Sequence, residues 1–257
     1  MISLVSDLHL DLLYPRAAEA LIRSIARHGT GQPLILAGDI ASVHTKRGQE
    51  VWRELIDHTK TNYSEILAVL GNHEHYEGTF DTTASKIPQG VTLLNRNMWL
   101  GSGYQVYGCT LWSEIPTSLT EKVERSFNDY HQIYGFTVAQ HNAEYKKDQT
   151  WLSDQLFFNR FATDVPVPTI VVTHHAPLLN SGCSAPEYLN KSTNYFFESD
   201  QSNLITDCTP EIWCFGHTHH RADFRFSETR IVTNCCGYSG ELGKHYEVKD
   251  LLLPLTN

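Results

Sequence analysis

Glu65-Ile66-Leu67-Ala68-Val69-Leu70-Gly71-Asn72-His73-Glu74-His75 runs from a short apolar stretch straight into a polar turn. The apolar part has the length and composition of a buried strand. Gly71 lets the chain turn sharply where that strand ends. Asn72 then presents a neutral carbonyl oxygen and His73 an imidazole, side by side at the mouth of a sheet. An amide oxygen can ligate a cation, and an imidazole can hold or move a proton near neutral pH.

The same design recurs upstream. Ile2 to Ser6 is an apolar strand that ends in Asp7-Leu8-His9, and Leu34 to Ala37 is a second that ends in Gly38-Asp39. Between them, Pro15 to His28 has helical periodicity, with Ala18, Leu21, Ile22 and Ile25 on one face and Gly29 as its stop. Gln49 to Thr59 repeats the pattern with Val51, Trp52, Leu55 and Ile56. Asp7, Asp39 and Asn72 are spaced at close to the roughly 30-residue length of a βαβ unit. Such units make parallel strands, so all three polar residues emerge at one sheet edge, where open α/β sheets form their ligand sites.

Downstream, Val91 to Leu94 and Gln105 to Leu111 have strand character, and Thr137 to Phe158 a long helix with Val138, Tyr145, Leu152 and Leu156 on one face. Glu121 to Tyr134 is mixed and holds the polar, aromatic-rich segment Asn128-Asp129-Tyr130-His131. Thr169 to Thr173 is an apolar strand ending in His174-His175, and Glu211 to Phe215 another ending in Gly216-His217-Thr218-His219-His220. Ala222 to Phe226 and Arg230 to Asn234 should pair antiparallel. Repeats and linkers are missing from the sequence, so residues 1–257 are expected to form a single domain.

The bulk numbers narrow the function. Hydrophobic content of 41% and charged content of 19% are those of a soluble globular protein. A net charge of -9 disfavours a nucleic-acid partner, which selects basic proteins. The six cysteines lack regular spacing, which suggests free thiols in a reducing compartment. The sequence has neither a leader pattern nor a membrane-length apolar run, so a cytoplasmic location off the membrane is expected. Histidine is the anomaly: of fourteen, eight fall in four short patches. Each patch alone has a structural explanation, as a turn, a cap or a hydrogen-bonded histidine. Their shared position at strand ends favours one assembled site.

Asp7-x-His9, Gly38-Asp39, Gly71-Asn72-His73-Glu74, His174 and Gly216-His217-x-His219, in that order, resemble the calcineurin-like metallophosphoesterase superfamily. The resemblance implies an α/β fold: a four-layer αββα sandwich of two mixed β-sheets flanked by helices. It implies two metal ions, drawn from manganese, iron, zinc, nickel or cobalt. Asp7, His9, Asp39 and His219 would hold one, and Asp39, Asn72, His174 and His217 the other, with Asp39 bridging. His73 would stand outside the metals, against the phosphoryl group or the leaving oxygen, so His73 and Asp39 are the expected catalytic residues. A metal-bridging hydroxide would attack a phosphomonoester or small phosphodiester in line. A protein phosphatase, a nuclease or a non-catalytic metal-binding scaffold are the alternatives within the same set of motifs. His175, His220, Arg221, Tyr130 and His131 are candidates for contacting a small phosphorylated substrate. Asn180 to Asn203 is a candidate loop over the site.

Overall fold

The computed structural model describes residues 1–241 and 246–253. In chain order the elements are β1 (Ile2–Val5), α1 (Pro15–His28), β2 (Leu34–Ala37), α2 (Lys46–Thr59), β3 (Ile66–Val69), β4 (Thr92–Leu93), β5 (Asn97–Leu100), β6 (Gln105–Gly108), α3 (Thr120–Ser126), α4 (Asp129–Gln132), α5 (Val138–Phe161), β7 (Thr169–Val172), α6 (Ser202–Cys208), β8 (Ile212–Phe215), β9 (Asp223–Phe226), β10 (Thr229–Thr233) and β11 (Lys249–Leu251). One sheet has the order β11-β1-β2-β3-β4 and the other β5-β6-β7-β8-β10-β9.

Residue alternation explains the layers. Strand side chains point to opposite faces, and here both faces are covered. Ile2, Leu4, Ile35, Ala37, Leu67 and Val69 of the first sheet meet Val106, Ile170, Val172, Ile212, Cys214 and Val232 of the second in one buried cluster. Their neighbours Leu34, Leu36, Ile66 and Ala68 face outward onto Ile22 and Ile25 of α1 and Val51, Trp52 and Leu55 of α2. Val171, Trp213, Phe215 and Ile231 face the other way, onto Leu152 and Leu156 of α5 and Leu204 and Ile205 of α6. The order is therefore helices, sheet, sheet, helices. Double coverage is why the strands are continuous apolar runs rather than alternating ones.

β1, β2, β3 and β4 run parallel, as do β6, β7, β8 and β10, while β5, β9 and β11 are antiparallel edges. The carboxyl ends of both parallel sets lie on one side. Past β10 the chain crosses to the first sheet: Cys236 N–H donates to the Ser6 carbonyl and Gly237 N–H to that of Asp7, each at 2.9 Å. Several elements differ from the sequence expectations. The second helix starts three residues early, at Lys46, because the Thr45 hydroxyl caps it by accepting from Gly48 N–H. β5, α6 and β11 are outside those expectations; each is short, and α6 lies at the end of what the sequence suggests is loop.

Candidate metal centre

Every expected ligand sits immediately beyond a parallel strand. Asp7 and His9 follow β1, Asp39 follows β2, and Asn72 follows β3 at the head of a tight turn, His73–His75. His174 follows β7, and His217 and His219 follow β8. The backbone has to bend hard to aim them together. Asp7, His9, Asp39, His217 and His219 all have φ between 43° and 67°, the left-handed region that costs a non-glycine residue of order 1–3 kcal/mol. Asp and His are among the residue types that visit it most readily. The flanking glycines are there for space. A Cβ on Gly71 would collide with the Asp39 carboxylate, and one on Gly216 would stand 2.7 Å from Asp7 Oδ2.

The donor atoms fall into three overlapping groups, of which His9, Asp39 and His73 form the middle one. Those of Asp7, His9 and His219 lie within 4.8 Å of one another, and so do those of Asp39, His174 and His217. His9 and His219 point Nε2 at Nε2 across 3.0 Å. His174 Nε2 is 3.1 Å from Asn72 Oδ1 and 3.4 Å from Asp39 Oδ1. The far ring nitrogens are held: His174 Nδ1 donates to the Ala37 carbonyl at 2.9 Å, and His219 Nδ1 to Glu241 at 2.7 Å. Such bonds orient each Nε2 inward; burial pulls the His174 pKa down, but the Asp39 carboxylate beside it prevails and raises it to about 10, so a cation bound there would displace a proton. Buried Asp7 Oδ2 and His217 Nε2 have no protein partner. Two orphaned buried acceptors beside converging imidazole lone pairs are what a cation site requires.

Burial opposes ionisation of Asp39, but His174 and His73 beside it prevail and hold its carboxyl well below the usual range. Burial pushes the His9 and His217 pKa values down, which keeps these rings neutral and able to ligate. Glu74 underpins the whole edge. Its two oxygens accept from the backbone N–H groups of Gly71 (2.6 Å), Asp39 (2.9 Å), Ile40 (2.7 Å) and Ala41 (3.2 Å). It thus clamps the ends of β2 and β3 to each other.

His73 lies at the rim. Its N–H donates to Asp39 Oδ1 at 2.8 Å, its ring stacks on Tyr76 at 4.1 Å, and its Nε2 is 3.0 Å from the Tyr238 hydroxyl. Beside it opens a cavity of about 430 Å³ lined by Asp39, Asn72, His73, His217 and His219 together with Tyr76, Phe127, Phe196, Phe197, Tyr188 and Tyr238. Ser184 to Phe197 supply one wall, so the Asn180–Asn203 stretch does cover the site. Among the described residues, neither Lys nor Arg lines this cavity.

The suggested substrate contacts lie elsewhere. His175 is fully buried between Trp112, His141 and His217. Tyr130 turns its hydroxyl to His141 Nδ1 at 2.9 Å, and exposed His131 faces the Arg125 carbonyl. Arg221 lies over the Tyr246 ring, 5.3 Å from its centre, and neither it nor His220 lines the cavity. One residue along a strand reverses where a side chain points, and one residue along a helix swings it by about 100°. The cavity uses Asn128 and Asp129 of the segment Asn128-Asp129-Tyr130-His131 instead, and adds Tyr238 and Glu241. The last two stand beyond all the ligand motifs, and nothing in their spacing marks them.

A calcineurin-like phosphoesterase family model matches residues 2–221. The chain belongs to that family, and is therefore a metal-dependent hydrolase of phosphate esters. It is similar to an uncharacterized protein of Acanthamoeba polyphaga mimivirus, 28% identical over 265 residues, covering 92% of this chain and 91% of that one. In structure it resembles phosphopantetheinyl hydrolase from Mycobacterium tuberculosis, with a TM-score of 0.72 at 17% identity over 98% of this chain and 95% of that chain. It also resembles the anchor protein in the inner membrane complex of Plasmodium, with a TM-score of 0.50 at 13% identity, covering 96% of this chain and 76% of that one. At such identities the likeness is one of fold. The four-layer sandwich expected from the motifs is the fold observed.

Proposed function

We propose that the protein is a binuclear phosphoesterase acting on a small organic phosphate ester. The observation that carries this is the pair of adjoining donor groups, Asp7-His9-His219 and Asp39-His174-His217, each with an orphaned buried acceptor. Asp7, His9 and His219 would hold one ion and Asn72, His174 and His217 the other, with Asp39 placed between the two groups to serve both. Bound there, the metals would supply Lewis acidity for the phosphoryl oxygens and acidify the attacking water. Imidazole-rich sets of this kind favour manganese, iron, cobalt, nickel or zinc.

His73 is the proton carrier. It is the imidazole at the rim, and its Nε2 is free of carboxylate contact closer than 3.9 Å. From there it would reach the leaving oxygen of a phosphate ester seated at the donor cluster. The cavity size suits a small molecule, and the six aromatic rings on its wall suit an organic leaving group. The net charge of -9 argues against a nucleic-acid strand. Six unpaired thiols, five of them buried, support a reducing, cytoplasmic location. Among the described residues, no helix is long and apolar enough to cross a membrane.

Hydrolysis of a chromogenic monoester and a chromogenic diester, across the five metals, tests the reading and decides between the two substrate classes. His73→Ala should lower kcat at least about 100-fold while retaining the metal content of the wild type. Asp39→Ala should lose both. Full turnover in either variant sinks the assignment.

A further inference from the structure

Asn72 poses a problem that no other ligand in the cluster shares. A carboxylate presents the same atom whichever way it turns, and an imidazole can shift its proton. An amide has an oxygen at one end and an NH2 at the other, similar in shape and opposite in function. Only the oxygen can ligate a cation. If the amide turns over, the second metal loses a ligand and gains two facing N–H dipoles.

The structure shows what prevents this. Asn72 Nδ2 donates to Asp129 Oδ1 at 2.8 Å and lies 3.2 Å from the Tyr76 hydroxyl. The Tyr76 hydroxyl in turn donates to the same Asp129 oxygen at 2.6 Å. Asp129 is 1% exposed, so its carboxylate acts in a low-dielectric setting where turning the amide oxygen toward it would be strongly unfavourable. With the NH2 end held there, Asn72 Oδ1 points at His174 Nε2. The Tyr76 ring, fixed through its hydroxyl, also backs His73.

We infer that Asp129 is a positioning residue: its carboxylate fixes Asn72 with the oxygen toward the metals, and holds the His73 ring through Tyr76. This goes beyond the ligand set and rests on the reading that Asn72 ligates a metal. It also gives a role to the segment Asn128-Asp129-Tyr130-His131, which the ligand motifs leave unexplained.

The test is metal titration of the metal-free full-length chain, with manganese as the probe, followed by calorimetry and by elemental analysis after desalting. The wild type should take up two ions. Asp129→Ala should weaken one of the two by about 10- to 100-fold and leave the other unchanged, since Asp7, His9 and His219 do not touch Asp129. Asp129→Asn, whose amide oxygen can still accept from Asn72, should recover part of the loss. Because Asp129 acts through Asn72, Asn72→Ala and Asp129→Ala should not add: the double variant should bind the weaker ion no worse than Asn72→Ala alone. Additive losses, or two unchanged affinities in a folded Asp129→Ala chain, overturn the inference. If Asp129→Ala fails to fold, Asp129→Asn in the wild-type and Asn72→Ala backgrounds gives the same comparison. A wild type that binds no metal would instead sink the metal-site reading itself.

Discussion

Glu74 shows how much one side chain can hold in place. It is fully buried, and all four of its neighbours are backbone donors from the ends of β2 and β3. Burial and the nearby Asp39 charge push its pKa up to about 7, against the pull of the Gly71 and Ile40 N–H groups. Glu74→Gln replaces one accepting oxygen by an NH2 that faces donors. Buried donors left without acceptors cost about 1–3 kcal/mol each. Urea denaturation should therefore show a loss of about 2–4 kcal/mol, accompanied by reduced metal uptake. The sequence reading marks Glu74 only as part of a motif. Its partners lie 3 to 35 positions away and are backbone atoms, which carry no residue-type signal. The ligands themselves are legible because their residue types are chemically restricted and each follows a recognisable strand.

At the scale of elements, helix α5 is the instructive case. Val138, Leu152 and Leu156 are buried as their spacing predicts, and Tyr145 packs partly against the same core. His141, Glu144 and Asp148 are buried too, which blurs the apolar stripe and is why only part of the buried face can be seen in the sequence. The N-terminus is set by Thr137, whose hydroxyl accepts from Gln140 N–H at 3.2 Å. Thr137→Ala should cost about 1 kcal/mol of stability, read from denaturation midpoints, and leave kcat unchanged because the helix does not line the cavity. β5 and α6 escape sequence reading for a different reason. A four-residue edge strand and a seven-residue helix are too short for periodicity to build up, and packing decides them.

Across the whole molecule, the buried acids of α5 are answered from the crossover between the two sheets. Arg96 stands where the chain passes from β4 in the first sheet to β5 in the second, and it pairs with both Asp148 and Glu144. Asp148 also accepts from Leu111 N–H at 2.8 Å. Burial raises the Asp148 pKa to about 6, despite the Arg96 guanidinium that lowers it. A carboxyl whose folded pKa lies above its unfolded one contributes stability below the unfolded value, near 4, and loses it as pH rises through the folded value. Arg96→Met removes the opposing cation and moves the folded pKa still higher. Its cost should be about 3 kcal/mol at pH 8, where the carboxylate is buried and ionised without its partner, and should shrink toward pH 5. Thermal melts of the two proteins at both pH values check this; an equal deficit at the two would contradict it.

The strand-end positions of the candidate ligands and the sheet edge they share are legible in the chain. Both follow from short-range information: an apolar run, a turn residue, a restricted donor type, and a βαβ spacing that forces parallel strands. The packed tertiary structure turns His175, one residue past the expected ligand His174, into the core. It also decided that Asp129, and not Tyr130 or His131, reaches Asn72 from 57 positions away, and that Tyr238 and Glu241 close the rim. These outcomes depend on how the layers meet and which way each side chain points after they do. Contacts of that kind leave no periodic trace in the chain that makes them.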